Sequence, residues 1–135
     1  MFSALDSFKP NAHWLLRISI ASVFLFHGAG KAANLAGFSQ MTGLPSAVAA
    51  LVTFAELATG IGIIVGAFNR ELITRLAALA AVPVLLGAIF MVHWGRWSFT
   101  PAEGFPMGGM EFQVVLLLLA LYLLVMGNNG AGQSS

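Results

Sequence analysis

Four apolar stretches alternate with polar segments along the chain, and each is close to the ~20 residues that a helix needs to cross ~30 Å of hydrocarbon. They extend over about residues 13–33, 46–68, 70–93 and 110–127. Backbone polar groups in hydrocarbon must pair within the chain, so we predict that all four stretches are helices. The predicted fold class is an all-α integral membrane protein, a four-transmembrane-helix bundle that forms a single domain over residues 1–135.

Local signals support these boundaries. Ser46 opens the second stretch and Asn69 precedes the third, so both are candidate N-caps. Pro83 predicts a kink inside the third helix. The longest connection is 94–109, and we expect the polar tail, residues 128–135, to be disordered.

Composition agrees with a membrane protein. The chain is 59% hydrophobic and 8% charged, whereas a soluble domain typically carries ~25% charged residues. The net charge of +1 and the absence of a Lys/Arg run argue against a nucleic-acid partner. Cysteine is absent, which excludes disulfides, thiol chemistry and metal sites built on cysteine.

Lysine and arginine predict the orientation. If both termini lie on one side, that side holds four of these residues and the other side holds two. The positive-inside rule then predicts that both termini are cytoplasmic. The two groups are Lys9, Arg17, Arg70 and Arg75 against Lys31 and Arg96.

Small residues recur at a spacing of four in the second helix, at Ala58, Gly62 and Gly66. Such a stripe lets helix backbones approach closely. We favour packing within the bundle over dimerisation as its use, and a homo-oligomer stays open.

Ionisable side chains inside or beside apolar helices are the strongest functional clue. Charge at the centre of a membrane helix costs at least ~2.5–3.5 kcal/mol, so such residues are functional candidates. All but the first of them are predicted to lie in the outer half of the bundle, and Glu56 is ~15 Å below the start of its helix. The candidates are Arg17, His27, Lys31, Glu56, His93 and Glu111.

Structural roles remain alternatives for each of these residues. His93 and Lys31 are placed to snorkel into headgroups. Arg17 is placed as a positive-inside anchor, and Glu111 complements the dipole at the start of its helix.

Glu56 lies too deep in the bundle for its side chain to snorkel into the headgroups. We predict that its carboxylate lies within hydrogen-bonding or one-water distance of His27 or Lys31, because an ionised carboxylate in a low dielectric needs a cation or several donors. We also predict that His93 and Glu111 border the same cavity. The set would handle protons or bind a cofactor.

Other candidates rest on weaker patterns. Tyr122 shares a helix face with Glu111 and joins the candidate cofactor site. Histidines on two helices are compatible with axial haem ligation, although hydrogen-bonded histidines are commoner. Thioethers and imidazole suit Cu(I), although methionine in membrane helices usually packs, and we predict no metal site. The residues concerned are Met91, His93, Met107 and Met110.

The long connection contains four large aromatic residues. They are first an interfacial aromatic belt, and stacking on a quinone ring is the alternative. They are Trp94, Trp97, Phe99 and Phe105.

Several short motifs occur together between residues 17 and 127. They are Arg17, Phe-His-Gly-Ala-Gly-Lys at 26–31, Gly-Leu-Pro at 43–45, Glu56 with Gly60 and Gly66, His93, and Gly-Gly-Met-Glu-Phe at 108–112. In this combination the chain resembles the DoxX family of small bacterial four-helix membrane proteins. The family often has Tyr after the last Glu, where this chain has Phe112.

The resemblance implies a membrane partner or subunit of a redox system. One branch of the family is linked to thiosulfate:quinone oxidoreductase, and others are associated with oxidative or metal stress. We therefore expect a membrane subunit that contacts the lipid bilayer and an oxidoreductase partner and binds quinone at the outer-half polar site. Whether the chain is itself an enzyme stays open.

Two alternatives are kept. The first is a small permease or metal-handling membrane protein, which needs polar groups at the inner end, where only Arg17 occurs. The second is a structural assembly partner without chemistry of its own.

Overall fold

The computed structural model describes residues 3–68 and 70–129, and in that part of the chain it contains six α-helices and no β-strand. It also contains a 3-10 turn, Lys9–Asn11, and a π-helical turn, Ile89–His93. The helices are α1 (Ser3–Asp6), α2 (His13–Ala33), α3 (Leu35–Thr42), α4 (Ser46–Gly66), α5 (Glu71–Ala88) and α6 (Glu111–Met126).

Three of these helices are long and apolar enough to cross a membrane, namely α2, α4, and α5 together with its π-helical turn. The fourth apolar helix, α6, has 16 residues and is shorter than a typical span. The chain is therefore an all-helical membrane protein.

The helix boundaries agree with the predicted ones to within about two residues. Helix α2 has the predicted limits, and α4 ends at Gly66, two residues before the predicted end. Ser46 is the first helical residue, because Pro45 takes the N-cap position without a side-chain hydrogen bond. Asn69, the second predicted N-cap, lies outside the described residues.

Helix α3 was not predicted. Its first turn is capped by Asn34, whose side-chain oxygen accepts a hydrogen bond from the backbone N–H of Gly37 at 3.0 Å. Its end is set by Gly43, which has a left-handed φ of 70°. The four predicted stretches leave residues 34–45 as a loop that contains glycine, and the structure corrects this.

Helix α5 continues through Pro83 as far as Ala88. The next five residues form the wider π-helical turn, in which Ile89 and His93 are buried. Turns of this kind are rare and occur often at functional sites.

Each long helix packs mainly against the next one along the chain, and α2 and α6 meet over a shorter stretch. Small residues allow the close approach. A methyl group added at Gly62 would lie 2.7 Å from the Cβ of Ala77. The predicted packing of the small-residue stripe within the bundle is confirmed for this position. The apolar core includes Ile20, Phe24, Ile63, Ala78, Ala81, Leu85, Leu116, Ala120 and Leu123.

Arg17 joins three helices at one end of the bundle, which we call the Arg17 end. Its side chain is 1% exposed. The Nη1 group donates to the backbone oxygen of Ile63 at 2.8 Å and to Thr74 Oγ1 at 3.0 Å, while Nε donates to His13 Nδ1 at 3.0 Å. The guanidinium therefore binds α4 and α5 to α2.

The residues after α6 complete this cluster. Asn128 Oδ1 accepts from Arg17 Nη2 at 2.7 Å and from Thr74 Oγ1 at 2.9 Å, and its amide donates to the oxygen of Gly66 at 2.9 Å. The oxygen of Gly127 is 3.5 Å from Arg17 Nη2. The predicted disordered tail began at residue 128, but these hydrogen bonds hold Asn128 in the bundle. Residues 130–135 lie outside the described part.

Replacing Arg17 with Lys should lower the free energy of unfolding by about 2–4 kcal/mol, because an ammonium cannot supply five donors in a fork and leaves buried acceptors unpaired. The measurement is reversible unfolding in detergent. Arg70→Lys, at an exposed position, is the control and should change stability little. Equal effects of the two substitutions would contradict the conclusion that Arg17 holds the helices together.

Gly66→Ala should cost about 1–3 kcal/mol of unfolding free energy by overpacking. The added methyl group would lie 2.6 Å from the backbone nitrogen of Thr74. Gly87→Ala is the matched control, since a Cβ at Gly87 meets no atom within 4 Å. We expect that control to be neutral or slightly stabilising in the same assay. A Gly66→Ala protein as stable as wild type would contradict the tight packing of α4 against α5.

Candidate functional site

Lys31 and Glu56 form an ion pair at the other end of α2, which we call the Lys31 end. The Nζ atom lies 2.6 Å from both carboxylate oxygens. The side chain of Glu56 is 8% exposed and that of Lys31 is 20% exposed. The predicted pairing of Glu56 with one of the two cations of α2 is confirmed.

The pair forms because α2 and α4 touch closely beside it. A methyl group at Gly28 would lie 3.0 Å from the side chain of Leu57, the residue after Glu56. Lys31 follows Gly28 by three residues and so lies on the same face of α2. Arg17 and Gly28 are both buried on that face. The close crossing places the carboxylate within reach of the ammonium.

Lys31 also contacts α3. Its Nζ atom is 5.0 Å from the centre of the Phe38 ring, within the range of a cation–π interaction. An ammonium has three hydrogens, and Glu56 accepts two of them. One donor of Lys31 is therefore not used by Glu56.

An open groove of about 600 Å³ lies between the Lys31 end of α2 and helix α3. Its lining is mainly apolar and aromatic, with three nitrogen-bearing side chains, those of His27, Lys31 and Asn34. Its aromatic and thioether side chains are those of Phe26, Phe38 and Met41. Its shape and lining suit a flat, largely apolar molecule with a few hydrogen-bond acceptors.

His27 lies at the edge of the buried face of α2 and is exposed to the groove. Its ring contacts that of Phe26 edge-on, with centroids 5.4 Å apart. No residue in the ranges 3–68 and 70–129 forms a hydrogen bond with its imidazole. His27 therefore presents ring nitrogens to a ligand and does not pair directly with Glu56.

His93 belongs to a different cluster. Its Nδ1 is 3.0 Å from the backbone oxygen of Gly108, and its Nε2 is 3.0 Å from the Gln113 amide nitrogen. The bond to a carbonyl requires a proton on Nδ1, so Nε2 accepts from Gln113. His93 joins the end of α5 to the start of α6 and does not line the groove.

Glu111 holds the long connection in place. Its Oε2 accepts from the backbone N–H of Phe99 at 3.2 Å, and its own N–H donates to the oxygen of Trp97 at 2.9 Å. Gly108 has φ 74°, and a Cβ there would collide with the oxygen of Phe99. Segments 96–98 and 109–111 thus pair closely at the start of α6, and the groove borders neither Glu111 nor this connection.

Arg17 and Tyr122, the remaining candidates, also lie away from the groove. Arg17 occupies the opposite end of α2, with all five N–H donors used. Tyr122 is 44% exposed on the outer surface of α6, in line with exposed Leu118. Of the seven predicted site residues, the structure brings His27, Lys31 and Glu56 together and separates the other four.

The structure gives little support to a metal or haem site. In the described ranges no group of three or more His, Asp or Glu side chains is arranged to hold a metal ion. Both nitrogens of His93 are committed to protein partners, and Met91 and Met107 are exposed.

Sequence reasoning missed the α3 wall of the groove. Phe38 and Met41 lie three residues apart on one face of that short helix. The available signal was the N-cap Asn34 followed by Gly43 as a helix stop. Gln113, the partner of His93, carried no such signal.

The comparison with protein families agrees with this geometry. The DoxX family model matches residues 12–94, which is more than half of the chain. The matched range contains α2 to α5 and therefore Lys31, Glu56 and the whole groove. No curated protein and no solved structure matches the chain. The chain is thus a membrane protein that belongs to the DoxX family.

Proposed function

We propose that this protein is a membrane subunit of a redox system and that its groove at the Lys31 end binds the head group of a quinone. The observation that carries the proposal is the groove itself, which opens beside a buried ion pair and presents aromatic rings together with unused donors. Membership of the DoxX family supports the link to redox systems.

The lining fits the chemistry of a quinone head group, which is a flat ring with two carbonyl acceptors. Phe26 and Phe38 supply rings for stacking, and Met41 supplies a polarisable thioether. The remaining N–H of Lys31 and a ring N–H of His27 supply donors for the carbonyl oxygens. A bound quinone would supply a two-electron, two-proton carrier that moves within the bilayer.

His27 is the residue placed to exchange a proton with a ligand oxygen, because its imidazole faces the groove without a hydrogen bond to the described residues. Lys31 is held by Glu56 and keeps one N–H directed toward the same space. Glu56 neutralises that ammonium, so a neutral ligand does not have to approach an unpaired charge.

The proposed topology has four spans. Helix α6 is ~24 Å long at 1.5 Å per residue. It starts beside His93 at the end of α5, through Gln113, and ends beside Arg17 at the start of α2, through Gly127. These contacts at both ends support α6 as a full crossing next to α5.

The proposed orientation places both termini in the cytoplasm of a bacterium, with the Lys31 end outward. Four of the six lysines and arginines belong to the Arg17 end, including Lys9, Arg70 and Arg75. A quinone in the inner membrane and an oxidoreductase on its outer side would then meet at the groove.

A permease receives less support from the geometry. The interior between Arg17 and Glu56 is filled by apolar side chains such as Ile20, Phe24 and Ile63. The donors of Arg17 are all engaged, so this buried cation offers no free donor to a transported molecule.

Phe26→Ala should weaken binding of a short-chain quinone analogue about tenfold, because the groove loses an aromatic wall. The measurement is equilibrium binding to the protein in lipid nanodiscs. Phe54→Ala is the matched control, since Phe54 is 68% exposed, as Phe26 is 76% exposed, but lies outside the groove. Absence of quinone binding to the wild type, or equal loss in both variants, would contradict the proposal.

The ion pair gives a separate prediction. Lys31→Met alone should lower the unfolding free energy by about 3–5 kcal/mol, because it leaves the Glu56 carboxylate buried and unpaired. The double variant Lys31→Met/Glu56→Gln should recover much of that stability, as a double-mutant cycle will show. Lys9→Met, in the exposed pair with Asp6, should cost less than about 1 kcal/mol.

The same double variant tests the role of Lys31 in binding. A folded double variant should bind the quinone analogue more weakly than wild type, since it lacks the donor in the groove. Unchanged affinity in the folded double variant would show that Lys31 only supports the structure.

A further inference from the structure

Tyr122 is a polar residue on the outside of a membrane helix. It is 44% exposed on α6, and its hydroxyl forms no hydrogen bond with any residue that the structure describes. The flanking exposed residues Leu118 and Val125 are apolar. A hydroxyl without a partner is unfavourable in hydrocarbon, so this position calls for an acceptor from outside the chain.

The membrane surface does not supply that acceptor. Tyr122 precedes Gly127 by five residues, which is ~7.5 Å from the Arg17 end. Side chains of a helix lean toward its N-terminus, and α6 runs from the Lys31 end to the Arg17 end. The hydroxyl is therefore carried further from the nearer membrane surface, not toward it.

Tyr122 faces the side of the bundle where α2 and α6 meet. Gln113 and Leu124 mark the face of α6 that contacts α5, through His93 and Arg75. Tyr122 is ~180° around the helix from Gln113 at 100° per residue. Since α6 packs mainly on α5 and, over a short stretch, on α2, Tyr122 lies on the α2 side of its exposed surface.

Ser19 is the matching polar residue on the same side of α2. It is exposed, and it lies ~180° around α2 from Gly28, which marks the contact with α4. Its Oγ donates to the oxygen of Leu15 at 2.7 Å, so the hydroxyl keeps lone pairs that can accept a hydrogen bond. One face of the bundle thus carries an unused donor and an unused acceptor.

The donor and acceptor lie at nearly the same depth. The oxygen of Gly127 is 3.5 Å from the Arg17 side chain, which aligns α6 with α2. Ser19 follows Arg17 by two residues and Tyr122 precedes Gly127 by five, so their levels differ by ~4.5 Å, less than one helical turn. A two-fold axis along the membrane normal preserves depth, so it would bring Tyr122 of one copy to Ser19 of another, twice.

We propose that the face formed by α2 and α6 binds a second copy of this chain, with the Tyr122 hydroxyl donating to Ser19 Oγ across the interface. This dimer face is separate from the small-residue stripe of α4, which packs inside the bundle. It is also independent of the quinone proposal, since neither Ser19 nor Tyr122 lines the groove.

The first test measures the dimer fraction in lipid vesicles against the protein-to-lipid ratio, by single-molecule photobleaching of labelled protein. Tyr122→Phe and Ser19→Ala should each weaken dimerisation about tenfold, because each removes two symmetric interhelical hydrogen bonds. The double variant should be no weaker than either single one. Ser22→Ala is the matched control and should dimerise as wild type, since Ser22 is exposed and bonded to its own helix but lies farther from α6.

The second test uses the absence of native cysteine. One tagged copy carries Val23→Cys and the other Leu118→Cys, positions one turn along from Ser19 and Tyr122. A short thiol cross-linker should join these copies and should not join Ile61→Cys to Leu79→Cys on the exposed surface of α4 and α5. The proposal would be overturned if the protein stayed monomeric or if Tyr122→Phe left the dimerisation constant unchanged. Cross-links at the α4–α5 surface would overturn it as well.

Discussion

The buried guanidinium of Arg17 is the interaction on which the bundle depends, because a charge surrounded by hydrocarbon must find its partners within the protein. No carboxylate serves it in the described structure, and neutral oxygens and one imidazole nitrogen share its five donors. Its partners Ile63, Thr74 and Asn128 are 46, 57 and 111 residues away in sequence. One side chain therefore sets the level at which four helices begin or end, and it explains how the short helix α6 keeps its register with α2.

The cations at the two ends of α2 are stabilised in different ways. At the Arg17 end every donor is satisfied, the side chain is 1% exposed, and the cation is a structural element. At the Lys31 end a single carboxylate takes two of three donors, and an open groove adjoins the third. His27 adds an imidazole that is not engaged by the described residues. A buried ion pair is weak evidence for stability, so the proposal of a functional site at this end rests on the groove and not on the pair alone.

The sequence predicted well how deep the ionisable residues lie in the bundle, but it predicted poorly which neighbour each side chain contacts. Helix length and hydropathy give the limits of α2, and the cost of a buried carboxylate predicts that Glu56 pairs with a cation of α2. Depth also placed His93 near the level of Lys31, but depth does not say which neighbour a side chain faces. The π-helical turn directs His93 toward Gln113, and no sequence pattern reports that turn. Helix α3 was missed because its eight residues, with Gly37 among them, are too few to show a helical periodicity of apolar positions.

Helix α2 is the least apolar of the three long helices, with a mean hydropathy of 1.2 against 2.1 and 2.3 for the others. Its polar residues lie at different levels and on two faces. Arg17 faces the bundle interior, Lys31 and His27 border the groove, and Ser19 points outward on the side of α6. These polar residues thus serve both ends of α2 and two of its faces, whereas a helix whose only role was to span the bilayer would gain nothing from them. The lower hydropathy of α2 is therefore consistent with one helix carrying the buried Arg17, the groove beside Lys31 and the proposed assembly face.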